Sequence, residues 1–70
     1  MNNKFATQLS KLIKNMGLSK AEFAKKINMS VISVSDWIDG KALPRAKSIR
    51  TICKTFNVSS DYLLGLKDEP

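Results

Sequence analysis

Seventy residues suffice for one domain with a small core, which must be held by close packing, a metal, a disulfide or a partner. A single cysteine excludes an internal disulfide, and with no histidine beside it the chain cannot build a zinc site, so helix packing, with or without dimerisation, has to supply the stability. Twelve Lys and Arg against six Asp and Glu give a net charge of +6, unevenly spread: residues 1–60 hold eleven basic and three acidic side chains, +8, while residues 61–70 hold one basic and three acidic, −2, a distribution that suits a polyanion partner.

The first helix is expected from about Asn3 to Met16, where Phe5, Leu9, Leu12, Ile13 and Met16 recur at helical spacing and Gly17 provides a stop. Lys4, Lys11 and Lys14 lie off that stripe. Ser19 then caps a second helix, with Glu22 three residues on as in a capping box, and Phe23, Ala24 and Ile27 form its apolar face. The chain must reverse at Asn28, a residue that tolerates left-handed backbone. Ser30 caps a third helix whose inner face is Val34, Trp37 and Ile38 and which Gly40 ends. The β-branched run Val31–Val34 would suit a strand by composition alone, but its place between cap and stop, with Trp37 and Ile38 completing a helical face, favours helix. Pro44 suits a helix start near the first turn of a fourth helix, about Arg45 to Phe56, with Ala46, Ile49, Ile52, Cys53 and Phe56 on its buried face and Asn57 as a left-handed stop. Ser59 caps a short fifth helix, Ser60 to Leu64, closed by Gly65. The expectation is an all-α, compact five-helix domain over residues 1–66, with Lys67 to Pro70 as a tail or the start of a linker.

The order cap, helix, Asn turn, cap, helix, Gly over Ser19–Lys41 is that of a helix-turn-helix, in which the second helix of the pair can lie in the DNA major groove. From Lys11 to Gly65 the chain resembles the phage repressor and Cro-like DNA-binding domains of bacterial and phage transcription regulators. The matching pieces are Gly17-Leu18-Ser19, Glu22-Phe23-Ala24, Ser30 with Val34 and Trp37, Gly40-Lys41, Pro44, Asn57-Val58-Ser59 and Asp61-Tyr62-Leu63-Leu64-Gly65. Two departures are informative. The turn residue, often Gly in that family, is Asn28. The Arg and Glu that many members bridge in the interior correspond to Ile13 and Ile38, a replacement at both ends that leaves no orphaned charge and suggests that the two isoleucines pack together.

In such a motif the base-reading positions are Val31, Ile32, Ser35 and Asp36. Val31 and Ile32 can pack on thymine methyl groups, Ser35 can donate or accept, and Asp36 can accept from cytosine N4. The competing readings are that Val31 and Ile32 are partly buried, or that this apolar face meets a protein. Phosphate contacts are expected at the start of the second helix, through Ser19, Lys20 and Ala21, and after the third, through Gly40 and Lys41, with Lys47 as a further candidate. The resemblance places Arg45 towards the minor groove between half-sites. It also places a homodimer contact around the fifth helix, where Val58, Tyr62, Leu63 and Leu66 are apolar.

Other signals are weaker. Trp37 belongs to the core by its spacing with Val34 and Ile38, and Cys53 reads as a small buried hydrophobe. Asp36 and Asp39 stand i, i+3 on an exposed helix with no base, nucleophile or metal ligand nearby, so an enzyme is rejected. No cofactor or small-molecule pocket is legible. No apolar run approaches membrane-spanning length and no signal-peptide core follows Met1, so the expectation is a cytoplasmic protein. Three functions follow: a regulator binding double-stranded DNA as a dimer on a palindromic operator, a repressor by preference; a helix-turn-helix antitoxin or other protein-binding module; or the N-terminal part of a longer regulator.

Overall fold

A computed structural model describes residues 4–66. Five helices follow in the expected order: α1 (Lys4–Met16), α2 (Lys20–Lys26), α3 (Val31–Ile38), α4 (Ala46–Phe56) and α5 (Ser60–Leu63). Asn3, expected to open α1, lies outside the described residues, as does the segment 67–70. Arg45 is the N-cap of α4 and makes no side-chain cap bond, and Leu64 is the C-cap of α5.

Local chemistry sets each boundary. Serines cap three starts: Ser19 accepts from the Glu22 N–H, Ser30 from the Ser33 N–H and Ser59 from the Tyr62 N–H, each at 3.1 Å. Every helix is followed by a left-handed residue, in order Gly17, Asn28, Gly40, Asn57 and Gly65. The two asparagines, at φ 58 and 54, adopt a backbone that costs a side chain less when it is short and polar. Gly65 is constrained further: a Cβ there would stand 2.6 Å from the Cβ of Lys4, so this turn closes directly on the start of α1.

Leu9, Phe23, Val34, Ile52 and Leu63 are the largest fully buried side chains, one from each helix. α1 packs on α3 and α5, α2 on α3, and α4 on α5. Aromatic pairs tie distant elements. Phe5 of α1 meets Trp37 of α3 edge to face at 6.3 Å, and Phe23 of α2 stacks on Phe56 of α4 at 4.8 Å. Such pairs add about 0.5–1.5 kcal/mol beyond the area they bury. Trp37 is thus a core residue, only 4% exposed, and is not placed to stack on a base. Ile13 is buried in the same apolar cluster against which the half-buried Ile38 packs.

The structure departs from the apolar periodicity at two places. Met16, at the foot of the α1 stripe, is 44% exposed, at the edge of an open groove with Leu18, Lys26, Thr55 and Phe56. In α4 only Ile52 is buried; Ile49, Cys53 and Phe56 are half-buried and Ala46 is exposed. The reason is length: α5 has four residues and covers part of an eleven-residue stripe.

Candidate nucleic-acid interface

α2 and α3 are joined by the turn at Ile27–Ser30, whose hydrogen bonds, from Asn28 N–H to the Lys25 carbonyl and from Met29 N–H to the Ala24 carbonyl, fix the pair as one unit. α3 is anchored by Val34 and Trp37 beneath it. With those two residues pointing inward, helical periodicity sends Ile32, Ser35, Asp36 and Asp39 (i, i+3, i+4, i+7) to the opposite face. Ile32 is 71% exposed at its centre, Val31 is 42% exposed at the leading edge, and Ser35 and Asp36 are half-buried. Val31 and Ile32 are therefore not absorbed by the core. Asp39, set aside in the sequence except as a failed catalytic pair, belongs to this outward face; the i+7 spacing from Ile32 was the available signal.

The flanks hold exposed cations. Lys20 opens α2, Lys41 follows α3, and Arg45 and Lys47 surround the start of α4; all four are exposed, as are Ser19 and Ala21. Several polar groups expected to meet phosphate are already used within the chain. The Ser19 N–H donates to Glu22 Oε1 at 2.9 Å while the Glu22 N–H donates to Ser19 Oγ, a complete capping box. These bonds hold the Glu22 carboxyl below its ordinary range, the backbone bond from Ser19 contributing most. An anion thus already sits at the start of α2, leaving the Lys20 and Ala21 N–H groups without intrahelical acceptors and the Lys20 ammonium as the mobile contact. After α3 the Gly40 N–H donates to the Trp37 carbonyl at 3.2 Å and the Lys41 N–H to the Asp36 carbonyl at 2.9 Å. Gly40 is therefore a helix stop whose N–H is spent on the turn, and only the Lys41 side chain is available at this end.

The residues expected at a dimer contact divide. Val58, Tyr62 and Leu63 are buried at 8%, 5% and 0% exposure. They fill the domain's own interior, where α5 packs against both α1 and α4. Leu66 is exposed, and Leu64, not anticipated, is exposed beside it. Leu64 lines an open groove of about 400 Å³ with Ala46, Ile49, Arg50, Cys53 and Ser60. It is the uncovered part of the α4 stripe. Burial pushes the Cys53 thiol up from its ordinary value, so it is a poor nucleophile at neutral pH.

The helix-turn-helix family matches residues 9–63, more than half of the chain and all of the α2–α3 unit. The chain belongs to that family. It is also 31% identical over 61 residues to the HTH-type transcriptional activator BcrR of Enterococcus faecalis, a match covering 87% of this chain and 30% of that protein. The chain thus spans under a third of the relative's length. No solved structure matches it. Among the described residues no helix is long and apolar enough to cross a membrane.

Proposed function

We propose that the chain is a sequence-specific DNA-binding regulator that places α3 in the major groove and binds a near-palindromic operator as a dimer. The observation carrying this reading is the outward face of α3, with Ile32 71% exposed on a helix otherwise anchored by Val34 and Trp37, between the exposed cations Lys20 and Lys41. Val31, 42% exposed beside it, makes the start of α3 a two-residue aliphatic patch between those cations. In the groove it has an apolar surface to meet.

Val31, Ile32, Ser35 and Asp36 face the bases in this arrangement. Lys20, Lys41 and Lys47 neutralise phosphates, with Ala21 adding a backbone N–H, and Arg45 turns towards the minor groove. Two half-sites one helical turn apart, roughly 34 Å, require a contact between copies. The surface offered for it is Leu64 and Leu66 with the open α4–α5 groove, in place of the buried Val58, Tyr62 and Leu63. Repression by covering a promoter follows from occupancy alone; activation needs an added contact with the polymerase. Repression is accordingly the simpler assignment for these residues.

The test is selection from random duplexes at about 50 and 200 mM salt, where counterion release is large. An enriched palindrome with half-sites one turn apart is expected, lost in Lys20→Glu and Lys41→Glu. Binding without any enriched sequence would sink the reading. So would capture of a protein partner, lost on Val31→Asp and kept by the lysine variants.

A further inference from the structure

We propose that α3 selects its half-site through thymine methyl groups and through base amino hydrogens, with no bidentate donor of its own for guanine. This rests on α3 entering the major groove and names what it reads there.

The chemistry of the exposed face is unusually restricted. Between Val31 and Ile38 there is no Lys, Arg, Asn or Gln, the side chains that supply bidentate donors to guanine or a donor–acceptor pair to adenine. What the face presents is two aliphatic side chains, Val31 and Ile32, followed by the Ser35 hydroxyl and the carboxylates of Asp36 and Asp39. The serines nearer the helix start are already engaged: Ser30 Oγ accepts from the Ser33 N–H and donates to Ser33 Oγ at 3.0 Å.

The major-groove code converts this inventory into a preference. Aliphatic groups complement the C5-methyl of thymine. Carboxylates only accept, and in the major groove the only base donors are N4–H₂ of cytosine and N6–H₂ of adenine. Guanine offers N7 and O6, both acceptors, so a carboxylate facing it is repelled. The leading edge of α3 therefore favours T, and the following turn favours C or A at the base it meets.

The two carboxylates also act against every other register. Where a sequence sets the acceptor edge of G or T at their position, they face acceptors and phosphates, which lowers affinity for such sites and widens the gap to the correct one. The basic charge needed to hold the duplex is accordingly not on α3 but beside it, at Lys20, Lys41, Arg45 and Lys47.

The experiment uses the whole chain and the duplex recovered by selection. Each thymine of a half-site is replaced by uracil, removing one methyl and nothing else. Uracil at the one or two positions under Val31 and Ile32 is expected to weaken binding about three- to fivefold per methyl, the worth of one buried carbon. Ile32→Ser, at an exposed position, should bind T and U alike at the base under Ile32 while keeping any preference under Val31, and Asp36→Asn should bind random duplex more tightly while losing preference at one base. An operator with a defined motif but no sensitivity to uracil at any position would overturn this assignment and leave DNA reading intact. An invariant guanine whose replacement by 7-deazaguanine weakens binding by the native chain but not by an α3 variant would overturn it too. No duplex retained at either salt would overturn both this assignment and the DNA reading, and would point to a basic protein surface as the occupant of the acidic, apolar face.

Discussion

The side-chain amide of Gln8 donates to the backbone carbonyl of Tyr62 at 3.2 Å, joining residues 54 apart in the chain. Gln8 is the buried polar residue of the core, and its partner sits in a four-residue helix too short to stand alone. The bond holds α5 against α1 while Gly65 closes on Lys4 beside it. α5 is in turn what positions Leu64 and Leu66. Gln8→Ala should destabilise the fold by about 0.5–1.5 kcal/mol through the lost hydrogen bond, with lost packing added, because the Tyr62 carbonyl keeps the Gly65 N–H at 3.1 Å. Urea unfolding followed by far-ultraviolet circular dichroism measures it. A loss near zero would mean that water reaches the Tyr62 carbonyl.

The capping box of α2 should make stability depend on pH in acid. The Glu22 carboxyl is held below its ordinary range in the folded chain by the Ser19 bonds. A depressed folded value means the carboxylate's contribution is complete above the unfolded value, about 4.3, and disappears as pH falls through the lower folded value. Thermal midpoints between pH 5 and 2.5 should therefore fall more steeply for the native chain than for Glu22→Gln, the two converging at the acid end. Parallel curves would show the bond to be absent in solution.

Most of the helical layout was legible because caps and stops are local chemistry. Ser19, Ser30 and Ser59 at the starts, and Gly or Asn after each end, state the boundaries within a residue. What was not legible was which apolar residues the domain keeps for itself. Tyr62 and Leu63 recur in a helix of four residues, a length at which spacing cannot separate an inner from an outer face. The resemblance puts them at a contact between copies, and the structure buries both. Conversely, the α4 stripe from Ala46 to Cys53 read as core, and half of it is open because α5 is too short to cover it. Which side chains of α3 point outward is legible from residue types, since the buried Val34 and Trp37 fix the rotation of the helix. The engagement of the Gly40 N–H by the Trp37 carbonyl is not legible, because it depends on a turn geometry that residue types do not specify.

Leu64 and Leu66 should separate dimerisation from folding. Both are exposed, so Leu64→Asp with Leu66→Asp should leave the unfolding midpoint nearly unchanged while weakening operator binding at least tenfold and abolishing its cooperativity in an electrophoretic shift series. Leu63→Asp, at a fully buried position, should instead unfold the chain by leaving a charge in the core. If the double variant binds a full operator as tightly as the native chain, the copies meet elsewhere or bind independently.

Lys20 and Lys41 should show themselves in salt dependence and not in sequence preference. Each lies at one end of the α2–α3 unit, exposed, with its ammonium clear of the capping bonds that occupy the neighbouring backbone. A phosphate contact releases about one counterion, so each Lys→Gln change should lower the slope of log affinity against log salt by about 0.9 per subunit, or nearly 2 for a dimer. The selected motif should stay the same, because phosphates carry no base information. Asp36→Asn should do the opposite, altering the motif with the slope unchanged or steeper. Lys25 and Lys26, later on α2, serve as the control: if their replacement lowers the slope as much as that of Lys20 and Lys41, the duplex is held by diffuse charge, and the docking of α3 between two fixed clamps is wrong.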